Sequence, residues 1–443
     1  MTCGASSSAP VLEMPEDFVS TLVAAFGEWR HSSFADRAAG LMAAADLLEK
    51  RQDAFAIIMA EEMGKPVDEG RQEAVKCALA CRHYAKHGEE MLAPEVMDGA
   101  RILHQPLGPV LAIMPWNFPF WQVIRFAAPS LMAGNTILLK HASNVPRCAK
   151  AIASLIAESF GRDDLMKVIF VSGKEVESYI AHPQIRAVTF TGSTDAGRKV
   201  AAAAGKYLKK SVLELGGSDA YVVLADADVA QAAKVCAKAR MVNGGQSCIA
   251  AKRFLVATEV HDQFVGLLLE EMSRYVPGDP IQTGTRLGPM ARADLRDDVH
   301  QQVVDSVEAG AKLLLGGEIP NDTELLDKPY YPATILTDVV PGMPVFDEET
   351  FGPVAAVVRV RDEAEAIEFA NQSSFGLGGA VFGTDVERAR RVAEAIETGA
   401  IAINAQLSSD PRYPFGGVKD SGWGRELGRH GILEFVNVKT VRA

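Results

Sequence analysis

The stretch Asn243-Gly244-Gly245-Gln246-Ser247-Cys248 ends in a single thiol after a polar, glycine-rich run, and a helical pattern precedes it. Glycine lets a backbone approach a ligand closely. A thiol attacks only as thiolate, so it needs a helix end, a base or a cation nearby. In Leu213-Glu214-Leu215-Gly216-Gly217 a carboxylate sits between two leucines at the end of a strand-like run. Partly desolvated there, it could carry a raised pKa and act as a general base; a paired or exposed carboxylate is the plainer alternative. In Pro115-Trp116-Asn117-Phe118-Pro119 an amide follows the strand ending at Met114. Asn117 can donate to a developing oxyanion, or it can cap its own turn. Phe190-Thr191-Gly192-Ser193-Thr194-Asp195 runs from strand through Gly-Ser into a helix. Helix N-termini favour anions, so Gly192 and Ser193 suit a phosphate, while Asp195 reads equally as an N-cap.

These residues need a scaffold that brings strand ends together. From Pro15 to about Glu90 apolar residues recur at helical spacing, broken at Gly64-Lys65-Pro66. From Arg101 short apolar runs alternate with helical stretches. Val110–Met114, Thr136–Lys140, Lys167–Val171, Ala187–Thr191 and Val212–Leu215 read as strands, with helices over Val145–Phe160 and Asp195–Leu208 between them. After Gly217 the strands Ala220–Leu224, Arg253–Val256, Phe351–Arg359, Gly379–Phe382 and Ala400–Asn404 alternate with helices such as Val229–Val242 and His261–Tyr275. Alternation of this kind implies an α/β protein with parallel strands covered by helices on both faces. A chain of 443 residues accommodates two or three domains, at roughly 100–200 residues each; here two α/β domains meet near Gly216-Gly217.

The net charge of −12 works against binding nucleic-acid phosphates. No apolar run approaches the roughly 18 residues of a membrane span. The segment Met1–Pro10 lacks the pattern of a signal peptide, which makes the expected location cytoplasmic. The six cysteines, Cys3, Cys77, Cys81, Cys148, Cys236 and Cys248, are too sparse for a disulfide framework. Cys77 and Cys81 share a helical face beside His83 and His87, but read as buried small residues, so no metal site is expected.

In order along the chain, Pro115-Trp116-Asn117, Lys140 with its loop, Phe190-Thr191-Gly192-Ser193, Glu214-Leu215-Gly216-Gly217, Gln246-Ser247-Cys248, Glu349-Thr350-Phe351-Gly352-Pro353 and Pro414-Phe415-Gly416-Gly417 resemble the aldehyde dehydrogenase superfamily. The resemblance runs from about Phe18 to Val441. It implies two doubly wound α/β domains, one Rossmann-like for the cofactor and one catalytic, with a small β oligomerisation flap. The cofactor domain would take residues 1–92 and 106–216, the catalytic domain 217–410, with 411–433 returning to the active site, and the flap 93–105 and 434–443. It also implies that Cys248 adds to an aldehyde to give a thiohemiacetal and then a thioester. Asn117 and the Cys248 backbone N–H would hold the oxyanion, and Glu214 would activate the hydrolytic water. Glu349 would hold the nicotinamide ribose and Phe351 would pack by the ring, with Met114, Pro115, Trp116, Gly173, Gly192, Ser193 and Leu215 along the cofactor. Ser247 stands in place of a second cysteine.

Many NAD-preferring relatives carry glutamate at the position of Ser143. Serine would not repel a 2′-phosphate, and Lys140 could pair with it, so NADP is the expected cofactor with NAD as a poorer alternative. The chain is similar to the short bacterial succinate-semialdehyde dehydrogenases in Arg125 and in the late stretch from Ser408 to Phe415. Arg125, with Trp121 on the same helical face and Ser409 from the late stretch, would bind the far carboxylate of a small aldehyde. A structural ion pair is the alternative for Arg125. Succinate semialdehyde is the favoured substrate. Glutarate semialdehyde or another small aldehyde, CoA-acylating chemistry, and a nonenzymatic cofactor-binding structural protein are the other readings. The alternating run Phe435 to Val441 suits an edge strand that pairs with another subunit, so a homodimer or homotetramer is expected.

Overall fold

The helical N-terminal region breaks where the backbone demands it. A computed structural model describes residues 15–320 and 328–442; Cys3 and Met1–Pro10 lie outside the described residues. Helices occupy Pro15–Trp29, Phe34–Lys50, Gln52–Met63 and Val67–Met91. Ser33 caps the second through a reciprocal pair with Asp36. Gly64 ends the third in a left-handed conformation, φ 79°.

The alternating region folds into two larger sheets. In the first, the order is Gly422–Trp423, Lys210–Glu214, Ala187–Thr191, Pro109–Met114, Thr136–His141, Met166–Ile169. All neighbours are parallel except Gly422–Trp423, which runs antiparallel to Lys210–Glu214. From Pro109–Met114 the chain builds outward to one side and then returns to build to the other. The strand order therefore reverses between Pro109–Met114 and Ala187–Thr191, and the crevice beyond their carboxyl ends is where open α/β sheets take ligands. Pro115-Trp116-Asn117 and Gly192-Ser193 emerge there.

The second sheet has the order Lys312–Leu315, Thr334–Thr337, Val354–Val360, Ala251–Ala257, Asp219–Val223, Gly379–Phe382, Ala402–Ile403, parallel except at the Lys312–Leu315 edge. Its central strands are buried along their whole length, as both-faced coverage requires. The strand expected from Phe351 starts at Val354 instead. Gly352 and Pro353 hold its first residues out of the ladder, which leaves Phe351 free for the crevice. The helix expected from Asp195 starts at Thr194, with Ser193 rather than Asp195 at the N-cap position.

A third, antiparallel sheet joins Glu95–Met97, Ala100–Pro106 and Val436–Arg442. One edge of Val436–Arg442 has no strand partner within the described chain, and Val438 and Val441 are exposed on it. No helix among the described residues is long and apolar enough to cross a membrane.

Candidate active site

Cys248 is reached through a strained turn. After the helix Val229–Met241, Asn243, Gly244 and Gly245 all adopt positive φ, at 53°, 61° and 77°. For Asn243 that conformation is uncommon and has to be held by its surroundings. Its backbone N–H donates to Glu69 Oε2 (2.7 Å), and its Nδ2 donates to the Asn117 and Gln246 carbonyls (2.8 and 3.2 Å). Asn117 Nδ2 donates in turn to the Gln246 carbonyl (3.0 Å), and Gln122 Nε2 to Asn117 Oδ1 (3.0 Å). Asn117 therefore stands beside the cysteine turn with one amide N–H committed; the amide group carries a second donor. Only glycine fits at 245, where a side chain would overlap the Gly352 carbonyl. Beyond the thiol, Lys252 Nζ donates to the carbonyls of Ser247 (2.9 Å) and Cys248 (2.6 Å).

Burial sets the protonation of the reacting groups. Desolvation pushes the Cys248 thiol up to about 12, against the pull of Lys252 and Arg125. Glu214, the last residue of the strand Lys210–Glu214, is buried with neither carboxylate oxygen hydrogen-bonded. Desolvation, reinforced by the nearby Glu426, holds its carboxyl well above the usual range, while Arg125 and Arg425 oppose this. The glycines of two motifs clear space for these groups. A Cβ on Gly416 would stand 2.7 Å from Glu214 Oε1, and one on Gly217 would stand 2.7 Å from the Cys248 carbonyl.

A cavity of about 420 Å³ opens in front of the thiol. Its walls include Cys248, Arg125, Trp121 and Ser409, which the sequence placed together. Asn117 and Glu214 are not among its walls; Asn117 meets the Gln246 carbonyl two residues before the thiol, and the Glu214 charge acts on Cys248. Arg125 is buried, ion-paired with Glu426, and stacked over Phe415 at 4.9 Å. The helix that carries it, Trp121–Ala133, starts on a carboxylate: Glu73 Oε1 accepts the N–H groups of Phe120 and Trp121, both at 2.8 Å. The other oxygen of Glu73 meets buried Lys65. Glu426, Glu73, Lys252 and Lys76 escaped the sequence reading. Each is a lone charge in its own stretch, and only the fold gives it a partner. The adjacent Gly424-Arg425-Glu426 was the one available signal for Glu426, an acid beside a glycine near the Phe415 motif.

The crevice of the first sheet collects the other predicted residues. Trp116 and Phe351 meet edge to face at 5.8 Å and 89°, one from each half of the chain. Glu349 Oε1 accepts the Gly217 N–H (3.0 Å) and lies 3.5 Å from Lys252 Nζ. A Cβ on Gly216 would stand 2.5 Å from Glu349 Oε2, so that glycine admits the carboxylate. Gly192 donates to the Glu214 carbonyl (3.0 Å), and Leu215 is buried beside them. The Ser193 side chain is exposed and makes no cap bond to its own helix. Met114 is buried and Pro115 half-buried at the strand end. Gly173 is exposed, and a Cβ there would meet open space. Lys140 is half-buried, its pKa lowered by desolvation, and it has no ion pair among the described residues. Ser143 lies exposed on the loop just beyond it. A cation and a hydroxyl at a helix start thus stand at the carboxyl ends of two strands of the first sheet, and the Glu349 carboxylate stands at Gly217 beyond a third.

A sequence profile of the Aldehyde dehydrogenase family matches residues 15–441. A probable NADP(+) succinate-semialdehyde dehydrogenase of Synechocystis is 49% identical over 422 residues, covering 94% of this chain and 92% of that protein. An aldehyde dehydrogenase of Paenarthrobacter nicotinovorans is 46% identical, with 97% and 94% covered. The crystal structure of a Streptococcus pyogenes succinic semialdehyde dehydrogenase in complex with NADP+ superposes with a TM-score of 0.93 at 37% identity, covering 97% of this chain and 94% of that one.

The raised thiol has a direct consequence in the free protein. Above its pKa the thiol is thiolate and below it the unreactive acid, so alkylation of Cys248 by iodoacetamide will be slow at pH 7. The rate will climb with pH through pH 9 without levelling. Mass analysis of the Cys248 peptide follows it, and a plateau below pH 8 would contradict the desolvated thiol.

Proposed function

Because the chain belongs to the aldehyde dehydrogenase family, we propose that it oxidises succinate semialdehyde to succinate with NADP+, NAD+ being the poorer acceptor. The observation that carries this reading is a single cavity holding Cys248 together with Arg125, Trp121 and Ser409, with Asn117 bonded to the turn before the thiol and Glu214 near enough for its charge to act on it. A nucleophile, an oxyanion donor and a base are thus joined to a wall that suits an acid group.

The chemistry follows from what an aldehyde lacks. Its carbon gives up hydride poorly until a nucleophile has added. Once its proton has passed to solvent, Cys248 as thiolate forms the C–S bond, and the carbonyl electron pair moves onto oxygen. The second N–H of Asn117 and the Cys248 backbone N–H meet that charge as it develops, where donors count most. Bound NADP+ supplies the hydride acceptor, and the crevice residues that fit it are Trp116, Phe351, Glu349, Ser193 and Lys140, the last two suited to phosphate. Loss of hydride leaves Cys248 as a thioester. Glu214 then takes a proton from water as the water attacks, and the thiolate leaves. A carboxyl whose proton affinity burial has raised is, once ionised, a stronger base toward water than an exposed carboxylate.

Lys140 and Ser143 carry the cofactor preference. At the end of one strand they offer positive charge and no carboxylate, which suits a 2′-phosphate. The first sheet, with its N-terminal helices, is the proposed cofactor domain, and the second is the proposed catalytic domain. The sheet containing Val436–Arg442 is the proposed oligomerisation flap, whose free edge would pair with a second copy in a homodimer or homotetramer. We place the enzyme in the cytoplasm, acting on its aldehyde without a nucleic-acid or membrane partner.

The direct test is a panel of aldehydes run with each nicotinamide cofactor and without CoA. Succinate semialdehyde with NADP+ should give the highest kcat/KM, and no turnover without CoA would move the reaction to acyl transfer. Glu214→Gln should lower steady-state kcat by about 10²–10⁴-fold. Addition and hydride loss precede its step, so stopped-flow absorbance should still show a burst of NADPH close to one per active site; loss of the burst as well would remove Glu214 from thioester hydrolysis. Ser143→Glu should lower the NADP+/NAD+ ratio of kcat/KM by on the order of 10- to 100-fold, because it sets a carboxylate against the 2′-phosphate. An unchanged ratio would sink the assignment of that loop.

A further inference from the structure

Arg125 is not the unshared cation that a substrate carboxylate would seek. Its guanidinium is already paired with buried Glu426, and it lies over Phe415. A second cation lines the same cavity. Lys76 comes from the helix Val67–Met91, half-buried, with its ammonium 4.4 Å above the ring of Trp121. It donates to Ser409 Oγ at 2.8 Å, and it makes no ion pair among the described residues.

The acidic groups that act on it most strongly are otherwise engaged. Glu73 is taken by Lys65 and by two backbone N–H groups. Asp410 is held by both nitrogens of the Arg412 fork, at 2.9 and 2.6 Å. Cys77 is a buried thiol raised well above its ordinary value, so it stays neutral. Arg125 repels Lys76. Desolvation and this repulsion draw the Lys76 ammonium down to about 8. A partly buried cation without a counter-ion is costly to keep. A ligand that brought its own carboxylate would remove that cost.

We infer that Lys76, acting with Ser409, binds the far carboxylate of the substrate and sets the preference for ω-carboxylated aldehydes. The ammonium has three donors, and one goes to Ser409. Because the Ser409 oxygen accepts from Lys76, its own O–H is free to donate. Two donors from two separate elements therefore converge at one spot on the cavity wall. Trp121 fixes the ammonium from below by cation–π attraction. Arg125 shapes the adjoining wall while Glu426 neutralises it. This assignment rests on the substrate reading above and names the residue that makes it selective.

The test compares succinate semialdehyde with butanal, which has the same chain length and no carboxylate. Lys76→Met should lower the ratio of their kcat/KM values by on the order of 10- to 100-fold, mainly through KM for the acid. The ratio cancels effects common to both substrates, such as a general loss of folded enzyme. In the wild type the ratio should also fall as pH rises through about 8, since Lys76 is charged below that value and neutral above it, while the substrate stays ionised. Lys76→Arg keeps the charge and should flatten that fall. A ratio unchanged in Lys76→Met, or flat from pH 7 to 9.5 in the wild type, overturns the role of Lys76. Should Arg125→Met instead collapse the ratio while Lys76→Met leaves it intact, the carboxylate belongs to Arg125 and the substrate reading survives. A wild type that treats the two aldehydes alike defeats the substrate reading itself.

Discussion

The site depends on an amide knot. Asn243, Asn117 and Gln246 come from two loops on different sheets, and their hydrogen bonds close around the Gln246 carbonyl, two residues before Cys248. Three consecutive residues with positive φ could not persist on local preference alone; Asn243 in particular gives up the conformations it favours. Its side chain recovers the difference by bridging to Asn117, and its N–H by reaching Glu69. The same bonds that hold the nucleophile's turn also orient the amide proposed to meet the developing oxyanion. Neither loop could shift without the other, so the two halves of the chain are registered to each other at the atoms that react.

Low dielectric follows from that closure. Burial raises the proton affinity of both the Cys248 thiol and the Glu214 carboxyl, which favours their neutral forms. The fixed charges around them are arranged in pairs or triads, as burial demands. Lys65 with Glu73 anchors the start of the helix that carries Arg125, and Arg125 with Glu426 closes against its other side. Lys252 straddles two carbonyls and Glu349. Glu426 therefore has two effects. It holds Arg125, and its charge makes Glu214 harder to ionise.

Much of this fold is legible as text because its central strands are buried on both faces and read as unbroken apolar runs. Ala187–Thr191 and Gly379–Phe382 fall where the runs place them, and Pro109–Met114 differs by one residue. Boundaries slip where a single residue decides them. Pro353 delays the strand after Phe351, and the run ending at Val171 loses its ladder at Ile169, with Phe170 already exposed. For Arg125 the residue type admitted both a substrate carboxylate and a structural ion pair. The structure supplies the ion pair with Glu426 and also leaves Arg125 on the cavity wall. Motif residues such as Cys248, Glu214 and Glu349 were recognisable from their neighbours. Lys76, Glu73 and Glu426 were not, since each looks like an ordinary charge in its own stretch until a partner more than 40 residues away is brought beside it.

An enzyme that must be dry to work yet must admit a charged substrate faces opposing demands. Bringing a carboxylate into a desolvated cavity is costly unless a cation waits for it, but a cation left waiting is costly too. Pairing that cation permanently would remove its cost and its usefulness together, which is the state of Arg125 beside Glu426. Lys76, with no ion pair among the described residues, resolves the conflict differently. Its charge is weakened by burial, steadied by the face of Trp121 and shared with one hydroxyl, so the empty cavity tolerates it. A substrate carboxylate restores the full charge by raising the lysine's proton affinity, and the interaction becomes strong only when the ligand is present. An uncharged aldehyde would bury the same ammonium without that compensation, so selectivity comes as much from what the empty site withholds as from what it offers.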